Sequence, residues 1–269
     1  MDNIILLKSK DKKKVYSFLK CHPLSTIFIK EVIENKGFIN NSEQNHGDFY
    51  GIFKNNIIIG IIVKYNMGIS IISGTSHANE LSENFDNTNF IIKRKTKDKE
   101  NIAKQETFML YTKKTIITFN SYRVFIAKTK DIEELLKLRL EFEKEYWNYN
   151  PEKIDEEKFE KLIIEKVSKK EVLIYKLDNK IAAIGFCETE NHKVILIGSI
   201  FVKNEFRGLG IGKTLTLGLC DYIIQKNKMP CLTVDINNIK AYNLYKNIGF
   251  KAISEIYLVE PNTKKSLFL

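Results

Sequence analysis

Arginine is nearly missing from this chain. Of its 43 basic residues only Arg94, Arg123, Arg139 and Arg207 are arginines. That scarcity argues against a surface built to read nucleic acid, because the guanidinium fork is what grips phosphates and bases in pairs. Cysteine is also sparse, and Cys21, Cys187, Cys220 and Cys231 form no C-x-x-C pair, so no disulfide framework is expected. The histidines His22, His46, His77 and His192 show no ligand spacing, and no metal is expected. Long hydrophobic runs are absent: the longest, Ile57 to Val63, is seven residues, far below the roughly 20 that span a bilayer. The opening MDNIILLKSKDKKK has an apolar run of four residues and no small-residue cleavage site, so no secretory signal is expected. Together these absences predict a reduced, cytoplasmic, soluble protein with no membrane partner.

What is present looks globular. Hydrophobic residues make up 43% and charged residues 28% of 269, enough for one large domain or two modest ones. The net charge of +10 is spread: 18 basic against 12 acidic residues up to Ser121 (+6), and 25 against 21 after it (+4). A lysine-rich composition accounts for that distribution, and the run from Lys93 to Asn101, KRKTKDKEN, reads as a solvated turn or helix surface.

Apolar spacing from Val15 to Gly37, broken at His22-Pro23, predicts two short helices. Strands are predicted at Phe49 to Phe53, Ile57 to Lys64, Gly68 to Ser73, Phe90 to Ile92, Thr107 to Thr112 and Tyr122 to Ala127, with a helix near 78 to 85. The second part reads as helices at 131 to 145 and 155 to 168, strands at 171 to 177, 181 to 189 and 194 to 202, a helix at 211 to 227, a strand at 231 to 236, a helix at 238 to 247 and a last strand at 250 to 259. Asp131 is expected to cap the first of these helices. The fold class is α+β (α/β), a mixed and mostly antiparallel sheet flanked by helices. A boundary is expected near 113 to 122, between domains at 1 to 120 and 122 to 269.

The stretch from Ser199 to Leu215 is the most informative. A strand runs into glycines at 208, 210 and 212 and then into a helix, so backbone N–H groups at the helix start point outward and suit an anion. A nucleotide P-loop would need glycine five residues before Gly212, where Arg207 stands, and a dinucleotide fold would need G-x-G-x-x-G near the chain start. Neither fits.

Arg207-Gly-x-Gly-x-Gly212, after a strand ending Val202-x-x-x-Phe206, resembles the coenzyme-A loop of the GNAT superfamily of N-acyltransferases. Asn238-x-x-Ala241-x-x-Leu244-Tyr245-x-x-x-Gly249-Phe250 is similar to that family's second signature. The resemblance covers about residues 122 to 269 and implies acetyl-CoA as acyl donor. It implies that Phe201 and Val202 run along the pantetheine arm while Arg207, Gly208, Leu209, Gly210, Ile211, Gly212 and Lys213 hold the pyrophosphate, with Lys203 adding charge. Asn238 is implied beside the pantetheine and Tyr245 beside its sulfur as general acid. Seven residues apart, these two share one helix face.

The general base is not read from the sequence. Val194 to Val202 carries no carboxylate, and Glu188 sits near a turn at 190 to 193, roughly 10 to 20 Å along the ladder from the reactive end, so it is not assigned. Asp235 or a water chain remains open. From their place in the fold, Glu141, Glu145 and Trp147, with Tyr146 and Tyr149, are expected to line the acceptor side, where carboxylates and aromatic faces suit a cationic amine. The first part lacks any R-G-x-G-x-G and loosely repeats the element order of the second. It is expected to be a degenerate, non-catalytic copy of the same fold, as in two-lobed family members, to which the second half, with its Glu145-Tyr146-Trp147 and Asp235-x-Asn237-Asn238-x-x-Ala241 stretches, looks similar. The expected function is acetyl transfer to a primary amine on a small molecule or a protein; the alternative is a non-catalytic coenzyme-A-binding regulatory module. Nucleic acid rests on charge alone, and a homodimer is left open.

Overall fold

Isoleucine-rich runs dominate both halves of the chain, and they become strands because branched side chains pack well on a pleated surface. The structure is a computed structural model that describes residues 3–42, 46–66, 69–75, 90–93, 102–113, 123–147 and 155–259. The first half runs β1 (Asn3–Leu6), α1 (Lys12–Cys21), α2 (Ile27–Lys36), β2 (Gly47–Lys54), β3 (Ile57–Tyr65), β4 (Ile69–Gly74), β5 (Phe90–Lys93) and β6 (Ile102–Tyr111). The second runs β7 (Val124–Ile126), α3 (Ile132–Trp147), α4 (Glu156–Ser168), β8 (Val172–Leu177), β9 (Lys180–Glu190), β10 (Val194–Val202), α5 (Ile211–Gln225), β11 (Met229–Asp235), α6 (Ile239–Ile248) and β12 (Phe250–Val259). The predicted elements are found within a few residues, apart from the helix near 78 to 85 and most of the 113 to 122 boundary, which lie outside the described residues. Strand β1 was not expected, because its four residues are too few to show a period.

All twelve strands join one sheet in the order β1-β2-β3-β4-β5-β12-β6-β11-β10-β9-β8-β7. Neighbours are antiparallel except β4–β5 and β10–β11. The mostly antiparallel, helix-flanked sheet agrees with the expected fold class. The order is also a palindrome: advancing each of β1 to β5 by six gives β7 to β11 read from the other edge. At the centre the last strands are exchanged, so that β6 lies against β11 and β12 against β5.

Local chemistry repeats with the topology. In Lys8-Ser9-Lys10-Asp11 the aspartate accepts the Lys8 N–H at 3.0 Å, and in Lys128-Thr129-Lys130-Asp131 it accepts the Lys128 N–H at 2.9 Å. Asp131 therefore braces the turn before α3 rather than capping the helix directly, and it also accepts from Lys176 Nζ at 3.0 Å. The β2–β3 and β8–β9 hairpins both close on two residues with positive φ, Asn55-Asn56 and Asp178-Asn179, the backbone that two-residue hairpins favour. Each carries a register shift at the same place, between Ile52 and Phe53 and between Tyr175 and Lys176.

The cores interlock. Leu7, Val15, Phe18, Leu19, Ile29 and Ile61 pack within the first half, and Leu135, Leu138, Ile163, Ile174 and Phe186 within the second. A seam cluster joins them: Ile27 of α2 and Phe108 of β6 pack with Val194, Leu196, Cys231 and Ile256. Asn191 Nδ2 donates to the Pro23 carbonyl across the same seam at 2.7 Å.

Candidate functional site

The site begins where two parallel strands part. Strands β10 and β11 pair from Val194↔Met229 to Ile197↔Leu232, after which β10 continues to Val202 with no partner on that side among the described residues. A bulge in β10 causes the parting. Its register with β9 shifts between Gly198 and Phe201, and Ser199 takes φ 49°, a conformation costly for a residue with a Cβ. A buried network holds the bulge. Glu188 accepts from the Ser199 hydroxyl and from Arg139 Nη1 (3.2 Å), and Arg139 Nε donates to Glu143 at 2.8 Å. The Arg139 side chain is only 12% exposed and stands among the Phe142, Phe159 and Phe186 rings. Gly198 is needed there, since a Cβ would lie 2.6 Å from Glu188 Cγ. Glu188 is thus much nearer the bulge than its sequence position implies, because the β9–β10 turn is already paired at Glu190↔Ile195.

After β10 the chain makes a short turn at Asn204–Phe206 and enters α5 through Gly208 (φ 83°) and Gly210 (φ 76°). Those left-handed angles favour glycine. Gly210 caps α5 without a side chain, so the N–H groups of Ile211, Gly212 and Lys213 have no intrahelical acceptor and lie at the positive end of the helix dipole. Buried Ile211 anchors the turn, Leu209 is 64% exposed at its tip, and Lys213 is exposed. An uncapped, glycine-lined helix start fits a pyrophosphate.

Two cations expected at this loop point elsewhere. Arg207 turns back to α3: Nε donates to the Val202 carbonyl at 3.0 Å, Nη2 to Glu145 at 2.7 Å, and its guanidinium stacks 5.4 Å from the Phe201 ring centre. Lys203 pairs with Glu134. Both tie the loop to α3, and Glu145 is correspondingly engaged rather than turned toward an acceptor.

Helix α6 follows β11 and packs against it and α5. Asn238 caps α6, its Oδ1 accepting from the Ala241 N–H at 3.1 Å. Tyr245, one face further along, packs 5.9 Å from the Phe250 ring, and burial pushes its phenol up to about 12. Tyr146 of α3 donates its hydroxyl to Glu106 Oε1 at 2.8 Å, and Lys104 Nζ lies 3.7 Å from the Tyr146 ring centre and 3.1 Å from Glu106 Oε1. Burial raises the Tyr146 phenol most, followed by Glu106, Asp235 and Tyr245, which places all four groups within electrostatic reach. Glu106 faces Asp235 in register across β6 and β11. Val202 and Tyr245 pack against one core cluster, the Phe142 ring lies between those of Phe201 and Tyr146, and Tyr245 is within electrostatic reach of Tyr146. Glu141 is exposed, and the Trp147 side chain and Tyr149 lie outside what is described. Sequence reasoning missed Arg139, Lys104 and Glu106. Nothing in local spacing connects residues 104 to 106 with 235 to 245; only the exchange of β6 does.

Among the described residues no group of His, Cys, Asp and Glu could hold a metal, and no helix is long and apolar enough to cross a membrane.

Residues 132–250 match the family model described as acetyltransferase (GNAT) family. Similar solved structures include a GNAT-family acetyltransferase from Colwellia psychrerythraea, with TM-score 0.60 at 14% identity, covering 96% of this chain and 100% of that one. A GCN5-related N-acetyltransferase from Sphaerobacter thermophilus gives TM-score 0.59 at 9% identity over 98% of each chain. A tandem GNAT protein from the clavulanic acid biosynthesis pathway gives 0.54 at 11% identity, covering 98% of this chain and 100% of that one. Identities this low speak to the fold alone. No curated protein matches the chain by sequence.

Proposed function

We propose that this chain, whose residues 132–250 match the acetyltransferase (GNAT) family model, moves an acetyl group from acetyl-CoA to a primary amine. One observation carries the reading: beyond Ile197 the edge of β10 has no strand partner among the described residues and leads into the uncapped α5 start at Gly210, with Val202 and Tyr245 packed against one core cluster. An extended pantetheine arm can add to that edge as a strand would, with Gly208 to Lys213 around the pyrophosphate and Asn238 beside the arm. Tyr245 then serves as acid. Its raised phenol stays protonated throughout the physiological range, so it has a proton to give the sulfur as the C–S bond breaks. We further propose that residues 1–120 are a degenerate copy of the fold, and that 122–269 carry the catalytic site. The mirrored strand order and the repeated turn and hairpin support that division.

Incubating the purified chain with acetyl-CoA and a panel of amines, while following free thiol, tests the reading. Tyr245→Phe should lower kcat by about 100-fold or more and leave acetyl-CoA affinity within twofold. Unaltered turnover would remove Tyr245 from the mechanism. Tight acetyl-CoA binding with no thiol release would leave a coenzyme-A-binding regulatory module instead.

A further inference from the structure

The acetyl-transfer reading leaves one role unfilled. An ammonium cannot attack a carbonyl until it loses a proton, and three carboxylates lie close enough to the parting of β10 and β11 to be considered. Glu188 is committed to the bulge through Arg139 and Ser199. Asp235 Oδ1 accepts the Asn237 N–H at 2.8 Å and closes the turn into α6. Glu106 braces neither a bulge nor a turn: its contacts, with Tyr146 and Lys104, are to side chains alone and both fall on Oε1, and its side chain is only 18% exposed.

Resting on that functional reading, we propose that Glu106, carried into the second half by the exchanged strand β6, binds the ammonium of the acceptor and takes its proton. Lys104 on the same strand, Tyr146 from α3 and Asp235 from β11 face it, Tyr245 of α6 acts through Tyr146, and β12 sets apolar Ile256 in register beside it. Among the described residues Glu106 and Asp235 stand against Lys104, an excess of negative charge that favours a cation. Tyr146 fixes the orientation of the carboxylate, and the aromatic ring under Lys104 is a face on which an alkylammonium can also rest.

The proton count closes. Glu106 accepts one proton from the ammonium, and the neutral nitrogen forms the C–N bond at the thioester carbonyl. Tyr245 gives its hydroxyl proton to the sulfur as the C–S bond breaks, and a second proton from nitrogen restores the phenol. The products are the amide, the free thiol and one proton that Glu106 returns to water. A residue of the first half thereby completes the active site of the second.

Glu106→Gln keeps the size and the Tyr146 acceptor but cannot take the proton. With butylamine, tyramine and spermidine as probes, kcat/KM at pH 7 should fall about 100-fold or more. The deficit should then narrow by about tenfold per pH unit as the amine sheds its own proton near 10. Acetyl-CoA affinity should stay within twofold. A variant within threefold of the parent at pH 7, or a deficit constant from pH 7 to 10, would overturn the assignment. If the parent turns over a probe and the variant does so equally, only Glu106 is wrong. If the parent binds acetyl-CoA and acylates none of them, the acetyl-transfer reading fails and takes this one with it.

Discussion

Strands β1 to β5 and β7 to β11 cross the sheet in mirrored order, but what connects them differs. Residues 203–228 link β10 to β11 where 75–89 link β4 to β5, and residues 236–249 link β11 to β12 where 94–101 link β5 to β6. Both connections are longer in the second half, and they hold the glycine loop with α5 in one case and α6 with Tyr245 in the other. The 94–101 connection is shorter than α6 alone. Strand pairing and hairpin geometry are thus shared, while the chemistry sits in what is inserted between strands, where added length leaves the sheet intact. The first half keeps the strand plan with shorter connections and supplies a strand to the second.

The comparison can be broken most severely by cutting it. Expressed alone, 122–269 leaves β11 without β6 and β12 without both neighbours. It should fail to give a cooperative urea transition and should release no thiol from acetyl-CoA; a folded, active fragment would show that the halves are separable. Next in size is Phe108→Ala. The ring is fully buried at the seam among residues of both halves, and its loss should cost about 3–5 kcal/mol. It should shift a single unfolding transition, whereas two transitions with only one displaced would mean independent cores.

A smaller effect concerns alkali. The sequence between β5 and β6 holds no tyrosine to match Tyr245. Its phenol titrates near 12 when folded and near 10 when unfolded, so protonation favours the fold. Stability tied to the neutral phenol is complete below pH 10 and is lost as pH rises toward 12, by at most about 2–3 kcal/mol. Base titration followed by circular dichroism should show Tyr245→Phe resisting alkali better than its parent. The smallest expected difference is between the matched turns. Asp11→Ala should cost about 0.5–1 kcal/mol, and Asp131→Ala about 1–2 kcal/mol more, because Asp131 is buried and also holds Lys176. Equal losses would mean that the Lys176 contact adds nothing.

Much of the second half is legible because its signals are local. Glycines ahead of a helix, an Asn that caps, and a tyrosine seven residues on are all fixed by spacing along one element. What escaped depends on partners far off in sequence. Glu188 looked remote because a one-residue change in a turn moves a strand residue several ångströms along the ladder, and Arg207 looked like a phosphate ligand because its partner Glu145 lies on another helix. Glu106 was invisible for the same reason. A strand of ordinary composition announces its pairing with nothing in its own residues, and β6 pairs with strands that begin more than a hundred residues later.

That central exchange also bears on how the protein is made. Synthesis proceeds from the N-terminus, so β5 emerges from the ribosome long before the strand that will cover it: Lys93 pairs with Tyr257. The first half cannot close its sheet on its own residues, and its exposed edge must wait for nearly the whole of the chain. Contacts so distant in sequence slow folding and leave unpaired edges open to wrong partners meanwhile. The positively charged KRKTKDKEN run begins at the last residue of β5 in the sequence, and like charges on two nascent chains repel one another.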